Sequence, residues 1–150
     1  MCVGDAPALL EIYGDPVVMR YTDEKPFKDV GTVFLMLQSV QTLLSSGESL
    51  EWAIVPLDGG QAIGTCGLHS FNESFDTAEV GCLLRQSAWG NGYMKDAINL
   101  LKVYAKDALA LRHLMADVHL DNKRAQQLFK ALGFRQRSPA LWTLGFVDQE

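Results

Sequence analysis

The chain lacks most of the features that would assign a function class on sight. It has no excess of positive charge: 13 Lys and Arg stand against 18 Asp and Glu in 150 residues, for a net charge of −5 and a pI near 5.1. Nucleic-acid-binding domains usually carry a basic patch and a pI above about 9. No nucleic-acid partner is therefore expected, and a basic partner fits better than an acidic one. Cysteine is scarce. Cys2, Cys66 and Cys82 form no C-x-x-C pair, and an odd count suits a reducing compartment better than a disulfide framework. No apolar run approaches the ~20 residues that cross a bilayer, and Met1 to Leu10 show neither the cationic start nor the apolar stretch of an export signal. A cytoplasmic location without membrane contact is expected. Internal repeats, linkers and low-complexity tracts are also missing. What remains, with 48% apolar residues, suffices for a single domain over 1–150 that buries roughly 68–70% of its unfolded surface.

Hydrophobic spacing orders the elements. Ala8, Leu9, Ile12 and Tyr13 recur at helical intervals behind Asp5 and Pro7, and Gly14-Asp15-Pro16 ends that helix. Val30, Val33, Phe34, Leu37, Val40, Leu43 and Leu44 predict a second helix from about Lys28 to Ser45, stopped at Gly47. Leu50, Trp52 and Ile54 alternate as in a strand. Asp58-Gly59-Gly60 then turns the chain into Ala62 to Phe71, and Asn72-Glu73-Ser74 turns it again into Ala78 to Leu84, an antiparallel meander. Met94, Ala97, Ile98, Leu101, Tyr104, Ala105 and Ala108 form one helical stripe. Leu114 to Leu120 reads as a strand and Asn122 to Leu132 as a helix closed by Gly133. Strands follow from Phe134 and over Leu141 to Phe146. Strands interleaved with about four helices make a mixed α/β domain.

The chemistry concentrates in Ala78 to Met94, where a strand, a loop containing Gly90 and Gly92, and a helix start follow one another. Free N–H groups and the positive helix end converge there, a natural phosphate seat. Glycine lets the chain turn tightly and a phosphate oxygen approach the main chain. By itself G-x-G is weak, since a steric turn needs the same residues. A dinucleotide fingerprint fails because its third glycine position holds Lys95, and the G-x-x-x-x-G-K-[ST] loop is absent.

Three motifs in order narrow the reading: A-E-V-G-x-L-L from Ala78, W-G-N-G-Y-M from Trp89, and V-H-x-D-N-x-x-A-x-x-L-F-x-x-L-G-F from Val118 to Phe134. Together with Asp5 to Pro16 and Met19-Arg20-Tyr21, they resemble the GNAT acetyltransferase superfamily, in the branch of ribosomal-protein N-terminal alanine and serine acetyltransferases. The resemblance implies a mostly antiparallel, twisted sheet splayed at the cofactor site. It implies an acetyl-CoA-dependent N-acetyltransferase with no metal. Trp89, Gly90, Asn91, Gly92, Tyr93 and Met94 would cradle the pyrophosphate, while backbone groups of Cys82, Leu83 and Leu84 would meet the pantetheine and thioester. Asn122 matches a cofactor-contacting Asn, although simple helix capping explains it too. Phe129 would line the pantetheine, a role that rests wholly on the resemblance.

Acetyl transfer needs a base for the amine proton. Glu79 matches the family's proposed base, the alternative being an exposed cross-strand charge. His69 is the second candidate, since His titrates near ~6.5, against a structural hydrogen-bonding role. Asp117 and His119 alternate on their strand and either face the acceptor or are solvated. Tyr21, Trp52 and Phe71 would wall the acceptor pocket, with core packing as the alternative for Trp52 and Phe71.

The chain departs from the branch in three places. Ala125 replaces a Ser that can protonate the leaving thiolate, a task then left to Tyr21, to water or to no group. Ser87 stands where much of the superfamily has Gln or Arg, a position at which this branch is loose, and the first strand is missing or rudimentary. The leading expectation is direct acetylation of a primary amine, a protein or peptide N-terminus, over an acyl-enzyme at Cys82. A small-molecule amine acceptor and a CoA-binding module with little catalysis are the alternatives. An uncovered sheet edge is expected where the first strand belongs, covered by a second copy in a homodimer or by the tail Ala140 to Glu150.

Overall fold

A computed structural model describes residues 1–146. After a single 3-10 turn at Val3–Asp5 come helices α1 (Ala6–Tyr13), α2 (Pro16–Met19) and α3 (Val30–Ser46). Next is the meander β1 (Leu50–Ile54), β2 (Gly64–His69) and β3 (Thr77–Leu84). Helix α4 (Tyr93–Asp107), β4 (His113–Asp117), α5 (Lys123–Ala131), β5 (Arg135–Gln136) and β6 (Leu141–Gly145) complete it. The four helices read from spacing are present within about two residues of the expected ends. The fifth, α2, is one turn that Pro16 and the Asp15 cap create; the Asp15 carboxylate accepts from the Val17 N–H at 2.9 Å.

The six strands lie in the order β1-β2-β3-β4-β6-β5. Every pairing is antiparallel except β3 with β4, whose register covers Thr77 to Glu79 against His113 to Met115 and then stops. Past Glu79 the two strands part, and Val80 to Leu84 run on beside β2 alone. Among the described residues no strand precedes β1, so its outer edge has no strand partner. The tail does not cover it. Leu141–Gly145 is inserted between β4 and β5 at the opposite side of the sheet, because its alternating apolar residues pair with β4; residues 147–150 lie outside the described part.

The pleat sorts side chains onto two faces. Leu50, Trp52 and Ile54 share a face with Leu68 and Cys66, and with Val80, Cys82 and Leu84. This face packs on Ile98, Leu101 and Ala105 of α4 and Phe129 of α5 in the larger core. The other face carries Glu51, Ala53, Thr65, Gly67, His69, Glu79, Gly81 and Leu83. Leu83 joins the second, smaller core with Leu9, Ile12 and Tyr13 of α1, Met19 of α2 and Val33 of α3.

Candidate active site

The phase of the β2–β3 ladder determines what the parted strand offers. The Arg85 N–H donates to the Ile63 carbonyl at 2.7 Å, so odd-numbered residues of β3 turn their main-chain groups to β2 and even-numbered ones turn theirs toward β4. Where β4 has moved away, the Cys82 main-chain groups and the Leu84 N–H are left without a strand partner. The Leu84 carbonyl instead accepts the Trp89 indole N–H at 2.8 Å. Leu83 faces β2 with its backbone and the α1 core with its side chain, so the open main-chain groups belong to Cys82 and Leu84.

The chain then makes a 3-10 turn at Gln86–Ala88 and enters the glycine loop. Gly90 and Gly92 both have φ +79° with open space around an added Cβ, so the left-handed backbone, and not crowding, demands glycine. Gly92 is the N-cap of α4 and no side chain caps that end. The N–H groups of the first turn, from Tyr93 and Met94 onward, are therefore free for an anion. Asn91 holds the loop from inside, its amide donating to the Ala88 and Trp89 carbonyls, both at 3.2 Å. The Tyr93 and Met94 side chains pack inward on the core.

Across the gap stands the start of α5. The Asn122 carboxamide oxygen accepts from the Ala125 N–H at 3.2 Å, so the capping role is realised and its amide N–H2 remains for a ligand. Phe129 is only 3% exposed and meets Phe134 edge to face at 5.0 Å. It sits in the core beneath the site, not on an open wall. Arg124, which the spacing of motifs did not single out, lies with its guanidinium 3.2 Å above the Trp89 ring. Burial lowers its pKa while the nearby Cys82 opposes that. The Cys82 thiol is itself pushed up to about 12 by burial, with Cys66 and Glu51 adding to the effect. A thiol so protonated is a poor nucleophile.

On the opposite face Glu79 and His69 are directly paired across β3 and β2. The His69 ring lies along Gly81, where an added Cβ would be 3.4 Å from Nε2, and its Nδ1 is 2.9 Å from the Ser70 hydroxyl. Both residues are half-buried, immediately before the strands part. Glu51 shares this face, at a position between the alternating apolar residues of β1. Burial raises its pKa to about 7, and a Thr65 hydrogen bond counters this in part. Burial of an acid on a strand edge is a tertiary fact that alternation does not signal.

The three acceptor residues do not come together. Trp52 lies on the α4 face and meets Tyr104 edge to face at 5.3 Å. Phe71 stacks on Phe75 at 4.3 Å and packs against the same α4-side core. Both are separated from Glu79 by the sheet: the pleat sends Trp52 to the other side, and Ser70, with φ +52°, breaks the alternation before Phe71. Tyr21 alone is near the gap. Its hydroxyl donates to the Asp121 carbonyl at 3.2 Å and its ring lies 5.1 Å from that of His119, tying the end of α2 to the β4–α5 loop. Asp117 and His119 are exposed, and the His119 Nδ1 accepts from the Asp121 N–H at 3.1 Å.

Known proteins share this fold. The model of the acetyltransferase (GNAT) domain matches residues 1–135. The uncharacterized N-acetyltransferase p20 of Bacillus licheniformis is 30% identical over 132 residues, spanning 88% of this chain and 74% of that protein. In fold, RimJ of Mycobacterium smegmatis, solved in complex with CoA-disulfide, superposes with TM-score 0.86 at 17% identity, over 97% of this chain and 79% of that one. Spermidine N-acetyltransferase from Vibrio cholerae, in complex with CoA and spermine, superposes with TM-score 0.79 at 18% identity, over 92% and 79%. With the family model spanning the glycine loop, the parted strands and the α5 start, the chain belongs to the GNAT acetyltransferase family and is an N-acetyltransferase.

Proposed function

We propose that the protein transfers an acetyl group from acetyl-CoA directly to a primary amine, with Glu79 as the base. The observation that carries this is the parting of β3 from β4 beside two left-handed glycines and an uncapped helix start, with Glu79 at the fork. The residues present fit the donor. The α4 N–H groups and Gly90–Gly92 suit its pyrophosphate, the Cys82 main-chain groups and the Leu84 N–H suit an extended amide-bearing arm, and Asn122 at the start of α5 spends only its carboxamide oxygen on capping. When bound, acetyl-CoA supplies an activated acyl carbon and a thiolate leaving group. Glu79 takes the proton of the acceptor ammonium, directly or through water, with His69 beside it to pass the proton to solvent. The Cys82 N–H is available to polarise an acyl oxygen. Ala125 holds no proton to donate, and the Tyr21 hydroxyl is committed to the Asp121 carbonyl, so water is left to protonate the thiolate.

The first reading of the acceptor is a protein or peptide N-terminal amine. A small amine is the second reading, favoured by Glu51, whose carboxyl lies on the same face as Glu79. Steady-state assays of CoA release with amine and peptide panels test the assignment. Glu79→Gln should lower kcat by about a hundredfold or more, while Cys82→Ala should leave it within about threefold. An unchanged rate in Glu79→Gln would remove Glu79 from the chemistry, and a lost rate in Cys82→Ala would restore the acyl-enzyme route.

A further inference from the structure

The face of the sheet that carries Glu79 has an unusual floor. Gly67 and Gly81 are directly paired, and Glu51 is paired with Gly67 on the other side, so the row Glu51–Gly67–Gly81 crosses three strands with one side chain. That side chain folds over its neighbour: an added Cβ at Gly67 would stand 2.7 Å from Glu51 Oε2. His69 lies over Gly81 in the same manner. Thr65 and Leu83 bound the row on one side, His69 and Glu79 on the other, and Tyr13 of α1 closes over Thr65 with a 3.0 Å hydroxyl contact.

Among the described residues Glu51 has no ion pair, whereas Arg85 is joined to Glu11. Thr65 and Tyr13 stand on its side of the sheet and the Cys66 and Cys82 thiols behind it, with no cation among the groups that perturb it. A half-buried acid in a site that acts on amines, without a partner of opposite charge, is costly to the fold unless a ligand supplies that charge.

From this geometry we infer that Glu51 anchors a second cationic group of the acceptor, so that the enzyme prefers amines carrying two positive charges. The inference rests on the amine-acetyltransferase reading. Two strand spacings and one same-face step separate the Cα atoms of Glu51 and Glu79 by about 12 Å. Both residues stand on one face of the sheet and the Glu51 carboxylate reaches over Gly67, toward the strand of Glu79, so a spacer of about four carbons, roughly 6 Å from nitrogen to nitrogen, lets one end meet each carboxylate. A polyamine has this spacing outright; a peptide whose N-terminal amine is followed by a Lys has the same two charges on a longer, flexible link that must fold to bring them to it.

Paired acceptors test it: n-butylamine against 1,4-diaminobutane, and Ser-norleucine against Ser-Lys peptides, each with the wild type and Glu51→Gln. The wild type should prefer the dication by tenfold or more in kcat/KM. Glu51→Gln should abolish the preference through KM, with kcat and the single-cation acceptors within about threefold of wild type. The pair that shows the preference identifies the source of the second charge. Calorimetric titration of 1,4-diaminobutane and Ser-Lys into both proteins gives a readout independent of acetylation, with binding at least tenfold weaker in the variant. Equal preference in both proteins, an equal loss for single- and double-cation acceptors, or no binding difference overturns the role of Glu51. Glu51-dependent binding without CoA release on any amine would instead sink the acetylation reading and leave the anchor standing.

Discussion

At the Glu51 carboxyl, burial opposes ionisation and raises the pKa from 4.5 to about 7. Between those values the folded chain holds a proton that the unfolded chain has lost, so stability falls as pH rises through the window and levels off above it. The loss amounts to at most about 3 kcal/mol. Tyr13 and Thr65 face the carboxyl, Cys66 and Cys82 lie behind it across the sheet, and all stay neutral throughout, since burial and Glu51 itself raise the Tyr13, Cys66 and Cys82 pKa values. Chemical denaturation from pH 4.5 to 8 should show Glu51→Gln gaining on the wild type as pH rises. A constant difference across the range would place the carboxyl in water. The same residue is then expected to weaken the fold and to strengthen acceptor binding, the usual conflict at a functional site. Glu79 is proposed already from the sequence because a motif surrounds it. Glu51 is not, because nothing local distinguishes an exposed strand acid from one folded over a glycine on the next strand.

The decisive element is the join between β3 and α4. A left-handed Gly92 at the N-cap leaves the α4 start without a side-chain partner, and Gly90 repeats the conformation two residues earlier. Gly92→Ala should cost roughly 1–2 kcal/mol of stability and raise the KM for acetyl-CoA about tenfold. A donor KM unchanged in the folded variant would mean that the loop does not bind the pyrophosphate. Gly90, Gly92 and the α4 stripe were readable from spacing because helix period and glycine chemistry are local. Arg124 stacked on Trp89 was not, since that contact joins the first turn of α5 to the glycine loop, brought together only when the sheet forms. Trp52 shows the converse error. Its aromatic character suggested a pocket wall, but the pleat assigned it to the α4 core.

Over the whole molecule, two exposed features adjoin each other. The edge of β1 is unpaired among the described residues, and α3, which contacts β1, has no charged residue from Val30 to Ser46. Val30, Phe34, Leu35 and Leu44 of α3 are each at least 39% exposed. A homodimer that joins two β1 edges across a two-fold axis would satisfy both. Sedimentation at micromolar concentration should give a dimer that Leu35→Lys shifts to monomer; a monomer across the range would end that reading. The order of strands and helices, the glycine loop and the family were determined by the sequence, because periodicity, turn chemistry and motif spacing act between near neighbours in the chain. Which face each strand residue takes, where β3 leaves β4, and which acids share a face with Glu79 were decided only by the tertiary structure. Pairing register and burial join residues far apart in the chain, and no local pattern encodes them.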